Sequence, residues 1–291
     1  MTSGNAEAIA HGAATIVNAI ALGKGAAFGV DLWTKANVKL TDEPQVISGE
    51  ISSDPAESTV LIERTVTQVF RHFRVEKRFG AKVKTSSTIP IARGLKSSSA
   101  AANAVALATI AALDKTLDDF AVISLGVDAA FEAKVTVTGA FDDACASYFG
   151  GAVATDNVKR KIVKHFPLPE GLVVLFHVPS AKVYTGKSDV LKLRTVEPLV
   201  KIAYKEALKE NLWTALSLNG LIYSSALGFD TSIALDALNA GAVAAGLCGK
   251  GPAVTAVVSD EKINEVEAVL RRHGGELIKA QLNHKKATVV T

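Results

Sequence analysis

Apolar and polar positions alternate in several stretches of the chain. Residues 30–40 alternate with β-branched side chains, and predict a strand that follows a glycine-rich turn over residues 23–29. Residues 79–87 alternate again through Ala-Lys-Val-Lys-Thr. Between them, Asp54, Pro55 and Glu57 offer an N-cap, a first-turn proline and a capping-box acid ahead of the apolar series Val60, Leu61, Val66, Val69, Phe70, Phe73, so a helix is expected. Residues 97–113 are apolar or small on every face, which predicts a central, buried helix. Residues 117–133 read as a further helix opened by Asp118 and Asp119. Strands are predicted at 151–155, 161–166 and 172–178, with Pro167, Pro169, Glu170 and Gly171 marking a linker. Helices at 190–210, 212–227 and 231–240 then lead to a strand at 253–259, a helix at 261–272 stopped by Gly274 and Gly275, and a last strand at 288–290. This order predicts an α+β sandwich in the second half, with helices on one sheet face.

A chain of 291 residues exceeds the roughly 100–200 of a single domain, so two domains sharing a cleft are expected. A hydrophobic content of 48% excludes extended disorder. The net charge of +3 is the difference between 32 basic and 29 acidic side chains, without a long block of one sign, and argues against a nucleic-acid partner. Local clusters of Lys and Arg can still draw a small anion. Cys145 and Cys248 have no CxxC partner and are expected to be free thiols in a reducing cytoplasm. Residues 1–8 lack signal-peptide character and no run of about 18 apolar residues occurs, so neither secretion nor a membrane span is expected. The histidines show no HExxH spacing.

The candidate chemistry starts at Pro90-Ile91-Ala92-Arg93-Gly94-Leu95-Lys96-Ser97-Ser98-Ser99-Ala100. A glycine turn feeding a helix start leaves backbone N–H groups unpaired and aims the positive end of the helix dipole at one point, where phosphate binds. Three hydroxyls add donors and one possible magnesium ligand, and Arg93 and Lys96 add charge. GxxxxGK[ST] is absent, so this is no Walker A loop. Gly23, Gly25 and Gly29 are spaced GxGxxxG, which does not make a dinucleotide fingerprint.

The loop resembles the phosphate loop of the galactokinase, homoserine kinase, mevalonate kinase and phosphomevalonate kinase (GHMP) superfamily, with Lys96 in place of a small residue and one extra serine. Two further stretches occur in that superfamily's order. Thr-Gly-Ala-Phe-Asp-Asp-Ala, starting at Thr138, resembles the segment carrying the catalytic aspartate, which falls on Asp142. Gly-Leu-Cys-Gly-Lys-Gly-Pro, starting at Gly246, resembles the third motif, and Gly249 and Gly251 would bring main chain close to the nucleotide. Glu132 matches a magnesium-holding glutamate, with Ser98 as its serine partner. The opening segment has Val17 and Asn18 but lacks the usual cation before them, and Lys24 arrives later in a Gly-Lys-Gly loop.

Together these segments look like the archaeal-type shikimate kinases. That resemblance implies a two-domain α+β fold: residues 1–168 as a nucleotide-binding domain like ribosomal protein S5 domain 2, residues 169–291 as a ferredoxin-like α/β sandwich, and the active site in the cleft between them. It implies ATP and Mg2+, phosphorylation of the 3-hydroxyl of shikimate, Asp142 and Lys24 as catalytic groups, and Asn18, Lys24, Asp142, Thr185 and Lys187 as acceptor-binding residues. Homoserine kinase and a ligand sensor without transfer activity are the alternatives, and monomer and homodimer both stay open.

Overall fold

The computed structural model describes residues 4–91, 93–179 and 187–290, the last range with side chains from residue 191. The chain opens with two long strands, β1 (Asn5–Val17) and β2 (Lys24–Thr41), then a short β3 (Ile47–Ile51), the helix α1 (Val60–Phe73) and β4 (Gly80–Ser87). Helices α2 (Ser97–Ala112), α3 (Asp119–Glu132) and α4 (Phe141–Phe149) precede β5 (Ala152–Asp156), β6 (Lys161–Phe166) and β7 (Leu172–Val178). After these come α5 (Lys187–Thr195), α6 (Glu197–Leu208), α7 (Leu212–Leu227), α8 (Ser232–Asn239), β8 (Ala244–Leu247), β9 (Val254–Ser259), α9 (Ile263–Arg272), β10 (Glu276–Gln281) and β11 (Thr288–Val290).

One sheet has the order β11-β1-β2-β4-β3, and β5 and β6 extend it from the other half of β2. With 18 residues, β2 is long enough to serve two neighbours along one edge, residues 34–41 pairing with β4 and 24–28 with β5. The second sheet runs β10-β7-β9-β8, antiparallel throughout.

Strand periodicity decides the layers, because successive side chains point to opposite faces. From β7, Val174, Phe176 and Val178 join Phe28 and Val30 of β2 and Ala203, Ala215 and Tyr223 of α6 and α7 in one core between the sheets. Val173 and Leu175 face the other way, onto Ala234 and Ala237 of α8 and Val266 and Leu270 of α9. The outer face of the first sheet is covered by α1 to α4. The second sheet therefore carries helices on both faces, not on one as the element order predicts.

Other differences have local causes. The glycine-rich stretch expected to turn is the first half of β2. A Cβ on Gly25 would lie 2.3 Å from Asp142 Oδ2, so glycine here serves a close approach rather than a bend. Helix α1 starts at Val60, after the expected Asp54 cap; Thr59 precedes it and its hydroxyl donates to Glu63 at 2.7 Å. The span 190–210 is two helices, broken at Val196, with proline in the first turn of the second.

Candidate active site

Two helix starts open on one cavity of about 390 Å³. Before α2, Gly94 has φ 92° and Lys96 φ 63°, a left-handed pair that turns the chain sharply into the helix. No side chain caps that helix; Ser99 N donates to the Lys96 carbonyl at 3.1 Å, and the amides of Ser97 and Ser98 ahead of it have no acceptor within the helix. Ser97, Ser98 and Ser99 line the cavity beside those amides. Before α4, Gly139 and Ala140 are also left-handed, and Asp142 and Asp143 fill the first turn, where the helix dipole favours carboxylates.

These elements bring two buried charges together. Lys96 Nζ lies 2.9 Å from Asp143 Oδ2, with the side chains only 13% and 8% exposed. Burial works to lower the lysine's pKa, but Asp143, Cys248 and Asp142 outweigh it and hold the value above the ordinary one. The second oxygen of Asp143, Oδ1, is buried without a hydrogen-bond partner among the described residues. Asp142 is 3% exposed and accepts a hydrogen bond from Asn157 Nδ2 at 2.8 Å on Oδ1. Burial and the neighbouring Asp143 push its pKa up to about 7, against the opposing pull of Lys96 and Asn157. A carboxylate with that value, held in place by an amide, is suited to take a proton near neutral pH.

The loop between β8 and β9 forms the facing wall. Cys248 Sγ donates to the Gly94 carbonyl at 3.1 Å, and Ala253 N donates to the Arg93 carbonyl at 3.3 Å. Asn18 Nδ2 donates to the Gly249 carbonyl at 2.9 Å, while Asn18 Oδ1 accepts from Ile20 N. Tyr223 locks the same corner, its hydroxyl donating to the Asn18 carbonyl at 3.0 Å. Gly249 is left-handed at φ 61°, and a Cβ there would come within 2.6 Å of Lys96 Nζ. The three motif segments are thus tied to one another by named bonds.

Most residues expected from the sequence sit here. Asn18, Ile91, Gly94, Lys96, Ser97 to Ser99, Asp142 and Gly251 line the cavity, with Gly249 behind Lys96. Leu95 and Ala100 are buried in the core beneath the loop, Pro90 is half-buried, and the Arg93 guanidinium donates to the Pro179 carbonyl. Two residues lie elsewhere. Lys24 is exposed at the start of β2 and does not line the cavity. Glu132, at the end of α3, is bonded to Arg71 at 2.7 Å and also lies outside the lining, because that helix end faces α1. Ala92 and Thr185 fall outside the described residues, and Lys187 is described only in its backbone, as the first residue of α5. The structure adds Asp143, Asn103, Asn157 and Lys250, of which Asp143 follows the expected Asp142 and Lys250 stands between the expected Gly249 and Gly251.

Residues 61–151 match the family model for the GHMP kinases N terminal domain. A shikimate kinase of Methanosarcina mazei is 45% identical over 96% of this chain and 95% of its own. One of Pyrococcus abyssi is 42% identical over 89% and 93%. The chain belongs to the archaeal shikimate kinases of the GHMP family. The fold is similar to that of a mevalonate kinase of Methanococcus jannaschii, with a TM-score of 0.76 and 16% identity, covering 95% of this chain and 98% of that one. A Lactococcus lactis galactokinase gives 0.75 and 14%, over 98% and 95%. As a GHMP kinase the protein is a phosphotransferase. No helix among the described residues is long and apolar enough to cross a membrane.

Proposed function

We propose that the protein transfers the γ-phosphate of ATP to the 3-hydroxyl of shikimate, with Asp142 as the base. The observation that carries this reading is the buried Asp142, raised to about 7 and oriented by Asn157, in the same cavity as the start of α2. The phosphate chain of ATP lies against the first-turn amides and hydroxyls of Ser97, Ser98 and Ser99. The shikimate hydroxyl faces Asp142, which accepts its proton as the oxygen attacks. The choice of shikimate rests on the full-length identity to proteins of that name.

Magnesium suits this donor set. Asp143 Oδ1, buried and without a partner among the described residues, and a serine hydroxyl such as that of Ser98 would hold it, in preference to the Arg71-bonded Glu132. When bound, the ion offsets charge on the phosphate oxygens. Buried free thiols at Cys145 and Cys248 suit a cytoplasmic setting.

ADP release measured with ATP and shikimate, homoserine or mevalonate in parallel tests the reading. Turnover with shikimate is expected; turnover with homoserine alone would overturn it.

A further inference from the structure

The polar end of the cavity holds four ionisable side chains: Asp142, Asp143, Lys96 and Lys250. Three of them have a protein group to answer their charge. Lys96 and Asp143 form an ion pair, and Asp142 is bonded to Asn157. Lys250 has no hydrogen bond or ion pair among the described residues, although it is only partly exposed and faces the same space. Its ammonium is pushed towards the neutral form by burial and by the nearby Lys96, with Asp143 pulling the other way. A half-buried cation with no ion-pair partner among the described residues carries a cost that an anion in the cavity would relieve.

The backbone around Lys250 is fixed. Cys248 N donates to the Ala253 carbonyl at 2.8 Å and Gly251 N to the Cys248 carbonyl at 2.9 Å. The Gly249 carbonyl accepts from Asn18, and Cys248 Sγ reaches Gly94. The loop is therefore anchored to both β1's end and the turn before α2, and Lys250 projects from between two left-handed glycines. It lines the same cavity as the start of α2, Asp142 and Asp143, and so shares the space in which the phosphate chain and the acceptor would meet. That is where negative charge moves during transfer.

We propose that Lys250 is a catalytic residue whose ammonium meets the oxygens of the phosphoryl group as it passes from nucleotide to acceptor. This rests on the kinase reading above. In the step, the bond from Pγ to the ADP oxygen breaks, the bond from Pγ to the acceptor oxygen forms, and the acceptor's proton passes to the Asp142 carboxylate. Lys250 keeps its protons throughout and acts by charge alone.

Steady-state kinetics of Lys250→Met and Lys250→Arg test it, with ADP affinity and thermal unfolding as controls on the fold. Lys250→Met is expected to lower kcat on the order of a hundredfold, the scale of losing one preorganised charge at a transition state. The KM for shikimate should stay within about threefold, because a transition-state contact leaves ground-state binding nearly unchanged. Lys250→Arg should recover part of the rate. Slow ATP hydrolysis without any acceptor should fall in the same order, which keeps the test valid whichever alcohol the enzyme takes. Two results would overturn the proposal: wild-type kcat in folded Lys250→Met, or a raised KM for shikimate at unchanged kcat, which assigns Lys250 to the acceptor's carboxylate instead.

Discussion

Asp142→Asn separates what this carboxyl does for the reaction from what it costs the fold. In the folded protein burial and Asp143 carry its pKa from 3.8 to about 7. At about 1.4 kcal/mol for each pH unit of displacement, the ionised form costs the native state about 4 kcal/mol relative to the unfolded chain. Because the native value is the higher one, the native state holds the proton to higher pH. Stability is greatest below about 3.8, declines as pH rises, and reaches its full penalty above about 7. Asparagine has a similar shape, keeps an oxygen that accepts from Asn157, and carries no charge. Denaturant unfolding of both proteins at pH 5.5 and pH 8.5 reads the difference. The variant should gain more at the higher pH, by about 2 kcal/mol, since about 1.5 pH units of the penalty develop between pH 5.5 and 7. Its turnover should fall strongly while ATP affinity persists. An equal change in stability at both pH values would refute the assignment of a raised pKa to Asp142.

Further outcomes follow from the same contacts. Asn157→Ala removes a bond that favours ionised Asp142, so the midpoint of the pH–kcat curve should move upwards, read from rates at saturating substrate. Lys96→Met leaves the Asp143 carboxylate buried and unpaired, at a cost of about 3–5 kcal/mol in chemical denaturation. Lys96→Met with Asp143→Asn should regain much of that stability without regaining activity. Gly249→Ala puts a methyl against Lys96 Nζ and strains a left-handed backbone, costing on the order of 1–3 kcal/mol and weakening ATP binding. Gly228→Ala carries comparable backbone strain with nothing within 4 Å, and should leave ATP affinity unchanged in the same titration.

Elements bounded by local signals were legible in the sequence, whether half-exposed like β6 or buried like β7 and α2. Strands β6 and β7 and helices α2, α3 and α7 lie within a residue or two of their expected limits, because their periodicity or caps are local. Strand β1 was not legible: its Ala- and Gly-rich segment has little β-branched character, and small residues stand there because α2 and α4 pack close across it. Helix α4 is buried on all sides, so no amphipathic pattern announces it. At the site, the loop at Lys96 and Asp142 could be read from motif order. Their partners could not. Asn157 follows a strand end, and Lys250, though flanked by two glycines of the expected third motif, carries no signal of its own; what assigns them is proximity created by tertiary packing. Glu132 shows the converse, a residue correctly spaced along the chain whose helix end turns it to Arg71.

The path of the last residues has a mechanical consequence. After β10 completes the second sheet, the chain returns to pair β11 with β1 in the first. On the way, Leu282 bridges Val30, Asn283 N donates to the Gly29 carbonyl at 2.9 Å, and Gln281 N donates to Asp31. The two sheets are joined by a second crossing stitched to β2, as well as by the segment between β6 and β7. A body held to another by one strand can swing in any direction; held by two, it can only pivot about the line through both. The wall that Lys250 and Gly251 supply to the cavity is thus carried by a sheet held to the first at two crossings, which restricts how far the two can part.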